Sequence, residues 1–140
     1  MHTSRIIILL ITLLPIFSFA ECLKDGQGVT FMGAISRETF PGPPNYESID
    51  DGDVPETCWV LTINTPQCVT AESMESGARY EVAKSTTRFQ LAFEDANIYK
   101  SQKNLLENSA VVEGQLFAGH SGHHHTKVLI SVKSIKPVIQ

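Results

Sequence analysis

The sequence predicts an all-β domain with five short strands and one short helix. Apolar and polar residues alternate over several short stretches, which is the pattern of half-buried strands. Glycines interrupt two of these stretches, as tightly curved strands require. Only residues 97–108 carry apolar residues at helical spacing. An open antiparallel meander packed against one helix is the alternative architecture.

The five strands are predicted at residues 29–40, 57–64, 87–93, 110–119 and 126–135. Gly33 and Gly114 lie inside the first and fourth of them and indicate bends. Trp59 lies on the apolar face of the second strand, where we expect it in the core. A turn is predicted at residues 64–67, and residues 70–84 have no clear periodicity. The helix, residues 97–108, follows a capping residue at Asp95 or Asn97.

The order of these elements is that of an OB-fold, a small five-stranded Greek-key barrel. OB barrels bind ligands on one sheet face flanked by the loops after the first and fourth strands. Here those loops contain "FPGPPNYES" and "GHSGHHHT", the two most unusual stretches of the chain. We therefore expect a recognition surface between residues 40–53 and 119–126.

The first twenty residues have the features of a secretory signal peptide. Arg5 precedes an apolar run over residues 6–19, and Ser18 and Ala20 are the small residues expected before a cleavage site. The run is shorter than the roughly 20 residues of a membrane span. Residues 21–140 then form one domain, periplasmic or secreted, with no membrane span after cleavage.

The charge of the mature chain argues against a nucleic-acid partner. Residues 1–20 hold one basic and no acidic residue, so residues 21–140 carry ten basic and fifteen acidic residues, a net charge of −5. Nucleic-acid binding requires clustered Lys and Arg, and no basic stripe is present. A mildly acidic exterior is typical of a soluble domain.

Three cysteines in an exported chain predict one disulfide and one free thiol. A hairpin turning at residues 64–67 would not place Cys58 opposite Cys68. We therefore favour a Cys22–Cys68 disulfide, with a Cys58–Cys68 bond as the alternative. Cys58 is then a buried apolar residue or, less favoured, a reactive thiol.

The proline-rich loop after the first strand supplies the predicted binding residues. Its prolines fix φ and make the loop stiff. Its aromatic side chains suit contact with a sugar ring or a protein, although they could instead close the end of the barrel. The predicted binding set is Phe40, Pro43, Pro44, Asn45, Tyr46 and Glu47.

The histidines predict either a loop scaffold or a metal site that binds Zn or Cu. In extended chain His123 and His125 share one side while His124 points away. The candidate ligands are His120, His123, His124 and His125, and acids of the other loop could complete the coordination sphere: Glu47, Asp50, Asp51, Asp53 and Glu56. No spaced metal motif, nucleophile elbow or phosphate-binding glycine loop occurs, so the scaffold interpretation is favoured and an enzyme is not expected.

The segments "FPGPPNYESIDDGDVPETCWVLTI", "PQCV" and "GQLFAGHSGHHHTKVLI" resemble a small family of exported bacterial domains of unknown function, marked by the FPGPPNYES and GHHHT motifs. The resemblance implies a secreted or periplasmic domain and the Cys22–Cys68 pair, without a known activity. We expect a binding module for a cell-envelope protein or glycan. A metal-binding protein or metal-assisted hydrolase is the alternative.

Overall fold

The computed structural model describes residues 21–139, so the predicted signal peptide lies outside the described residues. The structure is all-β with one short helix, as predicted. The six strands are β1 (Leu23–Lys24), β2 (Gly28–Pro41), β3 (Pro55–Glu72), β4 (Arg79–Ala92), β5 (Ser109–Ala118) and β6 (Val128–Pro137). The helix α1 (Ala96–Ser101) is followed by one turn of 3-10 helix (Lys103–Leu105).

Five of the strands form a ring in the order β2–β3–β4–β6–β5 and back to β2. Four of the pairings are antiparallel, and β4 and β6 pair in parallel over Gln90–Ala92 only. Because this last pairing is short, the sheet curls into a partly open barrel rather than a closed one. Its element order is the OB-like order that the sequence predicts.

The two glycines expected at bends lie where the curved strands approach each other most closely. A Cβ atom at Gly33 would lie 2.2 Å from the carbonyl oxygen of Thr62, and one at Gly114 would lie 2.2 Å from that of Ser131. No side chain fits in such a space, so the curvature of β2 and β5 requires glycine at both positions.

The interior of the barrel contains the apolar faces that the alternation predicts. Ile35, Leu61, Phe89, Leu116 and Ile130 are completely buried there, and Trp59 is buried with them. Burial of these side chains is the main favourable contribution to folding of the domain.

The prediction of a turn at residues 64–67 was wrong, because β3 continues through them to Glu72. The register between β3 and β4 shifts between Thr62 and Gln67, and the irregularity accommodates Pro66, which has no N–H to donate. The polar residues 79–86, assigned to no strand from sequence, are the start of β4. They pair with β3 as an arm whose side chains are mostly exposed, so alternation is weak there.

Two further differences concern short elements. The predicted helix over residues 97–108 is divided, since α1 ends at Ser101 and a separate turn follows. Asp95 is its N-cap, accepting a hydrogen bond from the Asn97 N–H at 2.8 Å. Strand β1 was not predicted, because two residues that pair in parallel with β3 leave no periodic signal.

Candidate functional site

The proline-rich loop, residues 42–54, is folded around the carboxylate of Asp53. One carboxylate oxygen accepts hydrogen bonds from the Asn45 backbone N–H at 2.9 Å and from Asn45 Nδ2 at 3.2 Å. The other accepts from the N–H groups of Glu47 at 2.7 Å and Ser48 at 3.0 Å. Asp53 is only 4% exposed. These bonds hold the loop in one conformation.

The same donors lower the pKa of Asp53. The N–H groups of Glu47 and Ser48 make the largest contributions, and they outweigh the opposing effect of burial. The carboxylate is therefore ionised at neutral pH and engaged with backbone donors. The expectation that Asp53 could complete a metal coordination sphere is corrected by these contacts, since both of its oxygens are already in use.

Tyr46 projects from this loop against the opposite loop. Its φ of 60° lies in the left-handed region, and its N–H donates to the Gly42 carbonyl at 2.9 Å. The ring meets Gly122 so closely that a Cβ atom there would lie 2.7 Å from it. The left-handed backbone of Tyr46 thus directs its ring against Gly122. Any side chain at position 122 would displace that ring.

The histidine loop, residues 119–127, is fixed to the barrel by Gln90 of β4. The buried amide of Gln90 donates to the His123 carbonyl at 2.9 Å and accepts from the His125 N–H at 2.6 Å. The Gln90 N–H donates to Thr126 Oγ1 at 2.9 Å. Because Gln90 forms three hydrogen bonds with the histidine loop, the loop lies against the outer face of the barrel.

Glu56, the second residue of β3, binds two side chains of the histidine loop. One of its oxygens lies 2.5 Å from His123 Nδ1, and the other lies 3.0 Å from His125 Nε2. His125 also stacks on Phe40, with ring centroids 4.6 Å apart and planes 3° from parallel. The ends of β2 and β3 that flank the proline-rich loop therefore hold the histidine loop.

These contacts determine the tautomer of neutral His123. An ionised carboxylate only accepts, so Nδ1 of His123 donates to Glu56 and Nε2 carries the lone pair. Tyr46 Oη, at 3.1 Å, then donates to Nε2. The side chains of Tyr46, His123 and Glu56 form a continuous hydrogen-bonded row from one loop through the other to β3, and while His123 is neutral the oxygen of Tyr46 keeps its lone pairs for a ligand.

The pKa values of the site reflect the same contacts. Burial alone would raise the pKa of Glu56, but the hydrogen bonds and charges of His125 and His123 bring it below its usual value. Burial lowers the pKa of His124, and the neighbouring imidazoles of His120, His123 and His125 lower it further. The site at neutral pH thus contains an ionised Glu56 and a neutral His124.

The four candidate histidines do not converge on one point. His123 and His125 lie on one side, as their spacing predicts, and bind Glu56. His124 lies apart and its Nδ1 accepts from the His120 N–H at 3.0 Å, while His120 Nδ1 donates to the Ala118 carbonyl at 3.1 Å. Within residues 21–139, no group of three or more His, Cys, Asp or Glu side chains has the arrangement of a metal site.

The predicted binding residues are brought to one end of the barrel but are not equally accessible. Pro44, Asn45 and Glu47 are exposed, whereas Phe40, Pro43 and Tyr46 are half-buried.

Sequence reasoning missed the residues that organise the site. Asp53 and Glu56 were expected only as possible metal ligands, and Gln90 was not singled out at all. A glutamine inside the apolar strand pattern "RFQLAF" was the available signal, because a buried amide requires hydrogen-bond partners.

The thiol of Cys58 lies on the outer face of β3, half-buried, while Cys22 and Cys68 form the predicted disulfide. Burial, together with the nearby carboxylates of Glu38 and Glu56, raises the pKa of Cys58 to about 11. The thiolate form is scarce at neutral pH, so Cys58 has the character of an inert side chain.

Comparison with known proteins gives a family match to the second half of the chain. Residues 88–136 match a domain of unknown function, DUF4431. That segment contains the end of β4, the histidine loop and nearly all of β6, whereas the proline-rich loop precedes it. No curated protein matches the chain.

Among solved structures, the small single-stranded DNA-binding protein from Streptomyces coelicolor is similar to this chain. The two are 14% identical, with a TM-score of 0.41, and the match covers 82% of this chain and 95% of that protein. In the described residues of the present chain, no helix is long and apolar enough to cross a membrane.

Proposed function

We propose that this protein is an exported, periplasmic binding module that recognises a cell-envelope protein or glycan through residues 40–53 and 119–126. The observation that carries the proposal is the contact between the two loops, in which Tyr46 binds His123 while Glu56 of β3 holds His123 and His125. A surface that is fixed before binding loses little conformational entropy on complex formation. The export signal read from residues 1–20 supports the envelope as the compartment of the partner.

The exposed groups of this surface are suited to binding. Asn45 and Glu47 are exposed on the proline-rich loop, and His123 retains 61% of its side-chain exposure on the histidine loop. When His123 is neutral, the Tyr46 hydroxyl donates to His123 Nε2, which leaves its oxygen as an oriented acceptor. These groups offer directional hydrogen bonds around an aromatic ring, the combination that is common at protein recognition sites.

Capture from an envelope extract tests the proposal. The bait is the mature chain, residues 21–140, immobilised beside a Tyr46→Ala variant. A matched control is Tyr80→Ala, because Tyr80 is exposed on β4, far along β3 from Glu56. We expect the partner to be retained by wild type and by Tyr80→Ala, and to be reduced by about tenfold with Tyr46→Ala.

Treating the extract with a protease or with glycan hydrolases identifies the class of the captured partner. Equal capture by wild type and Tyr46→Ala contradicts the proposal. Recovery of the native protein only from the cytoplasmic fraction, as a chain that still contains residues 1–20, contradicts the assignment to the periplasm.

Divalent-metal binding, with or without metal-assisted hydrolysis, is the second candidate function, and the proximity of His123 and His125 to Glu56 favours it. A metal bound between Glu56 and the two imidazoles would have to displace the protons that they donate to this carboxylate. Calorimetric titration of Zn²⁺ and Cu²⁺ into the mature chain and a His123→Ala/His125→Ala variant separates the two functions. One-to-one, sub-micromolar binding that the variant loses would establish the metal function; weak binding that the variant retains would reject it.

A further inference from the structure

The proline-rich loop exposes apolar side chains that its own fold keeps out of the core. Ile49 is 39% exposed and Val54 is 57% exposed. The backbone of Val54 is fully engaged, since its N–H donates to Pro43 and its carbonyl accepts from Gly42, both at 2.8 Å. With Asp53 holding the loop, these side chains cannot turn inward without breaking the loop structure.

The same loop carries an uncompensated negative charge. The chain has no Lys or Arg between Arg37 and Arg79. Asp53 and Glu56 are engaged in hydrogen bonds with backbone donors and histidines, but the carboxylates at positions 47, 50 and 51 are exposed. Within residues 21–139 none of these three carboxylates forms an ion pair. They lie in the same loop as the exposed apolar residues and offer acceptors for cationic groups.

The aromatic residues of the site are poorly placed to stack on a sugar ring. Phe40 is covered by the parallel ring of His125, and Tyr46 is packed against Gly122 and the edge of His123, with ring planes 88° apart. A glycan-binding platform needs an open aromatic face. The exposed apolar and acidic groups instead favour a protein partner, because apolar burial gives affinity and opposite charge increases the rate of encounter.

We propose that the proline-rich loop is the docking site for a basic protein segment, in which apolar side chains that cover Ile49 and Val54 are flanked by Lys or Arg that face Glu47, Asp50 and Asp51. This inference rests on the proposed function and names the partner of the same surface. The partner is a protein of the envelope rather than its glycan.

Synthetic peptides of equal length test the docking site by fluorescence anisotropy with the mature chain. One peptide contains Lys and Leu, a second Lys and Ser, and a third Glu and Leu. We expect the Lys/Leu peptide to bind about tenfold more tightly than either of the others. Its affinity falls with added salt, since exposed charges are screened.

Matched variants locate the binding. Ile49→Ser/Val54→Ser lowers the affinity for the Lys/Leu peptide by about tenfold. Met74→Ser, at a fully exposed position of the β3–β4 turn, leaves this affinity unchanged. Asp50→Asn/Asp51→Asn reduces both the affinity and its salt dependence. Glu72→Gln/Glu75→Gln removes the same charge elsewhere and leaves both nearly unchanged. Thermal unfolding verifies that each variant is folded, as expected because all of these side chains are exposed.

An equal loss of peptide affinity in the loop variants and in their controls would overturn the inference, because it would indicate general attraction to an acidic protein. Failure of the Lys/Leu peptide to bind would also overturn it. If an envelope partner is captured in a Tyr46-dependent manner but is a glycan, or is insensitive to Ile49→Ser/Val54→Ser, the proposed function stands and this inference fails.

Discussion

Asp53 illustrates how one carboxylate can hold a whole loop in place. Its two oxygens accept from three backbone N–H groups and one side-chain amide. Isolated backbone donors in a loop are usually satisfied by water, which leaves the chain free to move. When a single buried anion takes them, loss of that anion releases the whole segment.

Replacement of this residue by Asn is expected to loosen the loop. The introduced amide would present N–H donors where the fold needs acceptors, so Asp53→Asn should lower the Tm by several degrees and weaken partner capture. Differential scanning calorimetry measures the first effect. Asp51→Asn is the control for the Tm alone, because the Asp51 side chain is exposed and makes no hydrogen bond in the described part of the chain.

The pH dependence of the wild type follows from the direction of the Asp53 pKa. A pKa that is lower in the folded than in the unfolded state contributes stability at neutral pH and loses it as the pH falls below about 4. The Asp53→Asn variant lacks this contribution at all pH values. The stability difference between the two should therefore shrink in acid, and a constant difference from pH 7 to pH 2 would contradict the account.

At the scale of single strands, the curvature of β2 and β5 depends on glycine at two positions. At Gly33 the backbone of Thr62 occupies the space of a Cβ atom, and at Gly114 the backbone of Ser131 does so. Backbone cannot move aside as a flexible side chain can. The strand must therefore shift as a whole if either position gains a side chain.

Gly33→Ala should destabilise the domain by about 3 kcal/mol, at the upper end of the range for overpacking, because the clash is with a strand backbone. Gly28→Ala in the same strand is a matched control, since a Cβ atom there meets nothing within 4 Å. Urea unfolding of both variants measures the difference. Similar stability of the two would show that β2 bends independently of the glycine.

At the scale of the whole molecule, the disulfide connects the start of the described chain to the long strand β3. Cys22 and Cys68 are 46 positions apart, and the segment between them contains β1, β2, the proline-rich loop and most of β3. Crosslinking such a segment restricts the unfolded chain more than the folded one. The bond therefore stabilises the folded domain relative to the unfolded chain.

Cys22→Ser/Cys68→Ser is expected to reduce the free energy of unfolding by up to about 4 kcal/mol on the chain-entropy estimate. Urea unfolding measures this loss, with Cys58→Ala as a control that leaves the disulfide intact.

Non-reducing peptide mapping should recover Cys22 linked to Cys68. Cys58 should react with alkylating reagents only after unfolding, because it is half-buried and its pKa is raised to about 11. Recovery of a Cys58–Cys68 fragment would contradict this assignment.

The interior of the barrel follows closely from the sequence, because alternation with period two and glycines at bends reflect local constraints. Phe89 and Leu91 show this, since both lie on the predicted apolar face and both are buried. The Cys22–Cys68 disulfide was also expected, although the turn at residues 64–67 used in its support does not exist. The arm formed by residues 79–86 could not be found by alternation, because neither of its faces packs extensively on the core.

The sequence by itself determined the order of strands β2 to β6, the position of the two unusual loops at one end of the barrel, and the division of the histidines into two sides. Only the tertiary structure decided which side chains of these loops and of the neighbouring strands contact each other. The contacts of Glu56 with His123 and His125, and of Gln90 with the histidine loop, join residues more than thirty positions apart. Such contacts depend on the path of the folded chain, which brings together side chains that no local pattern relates.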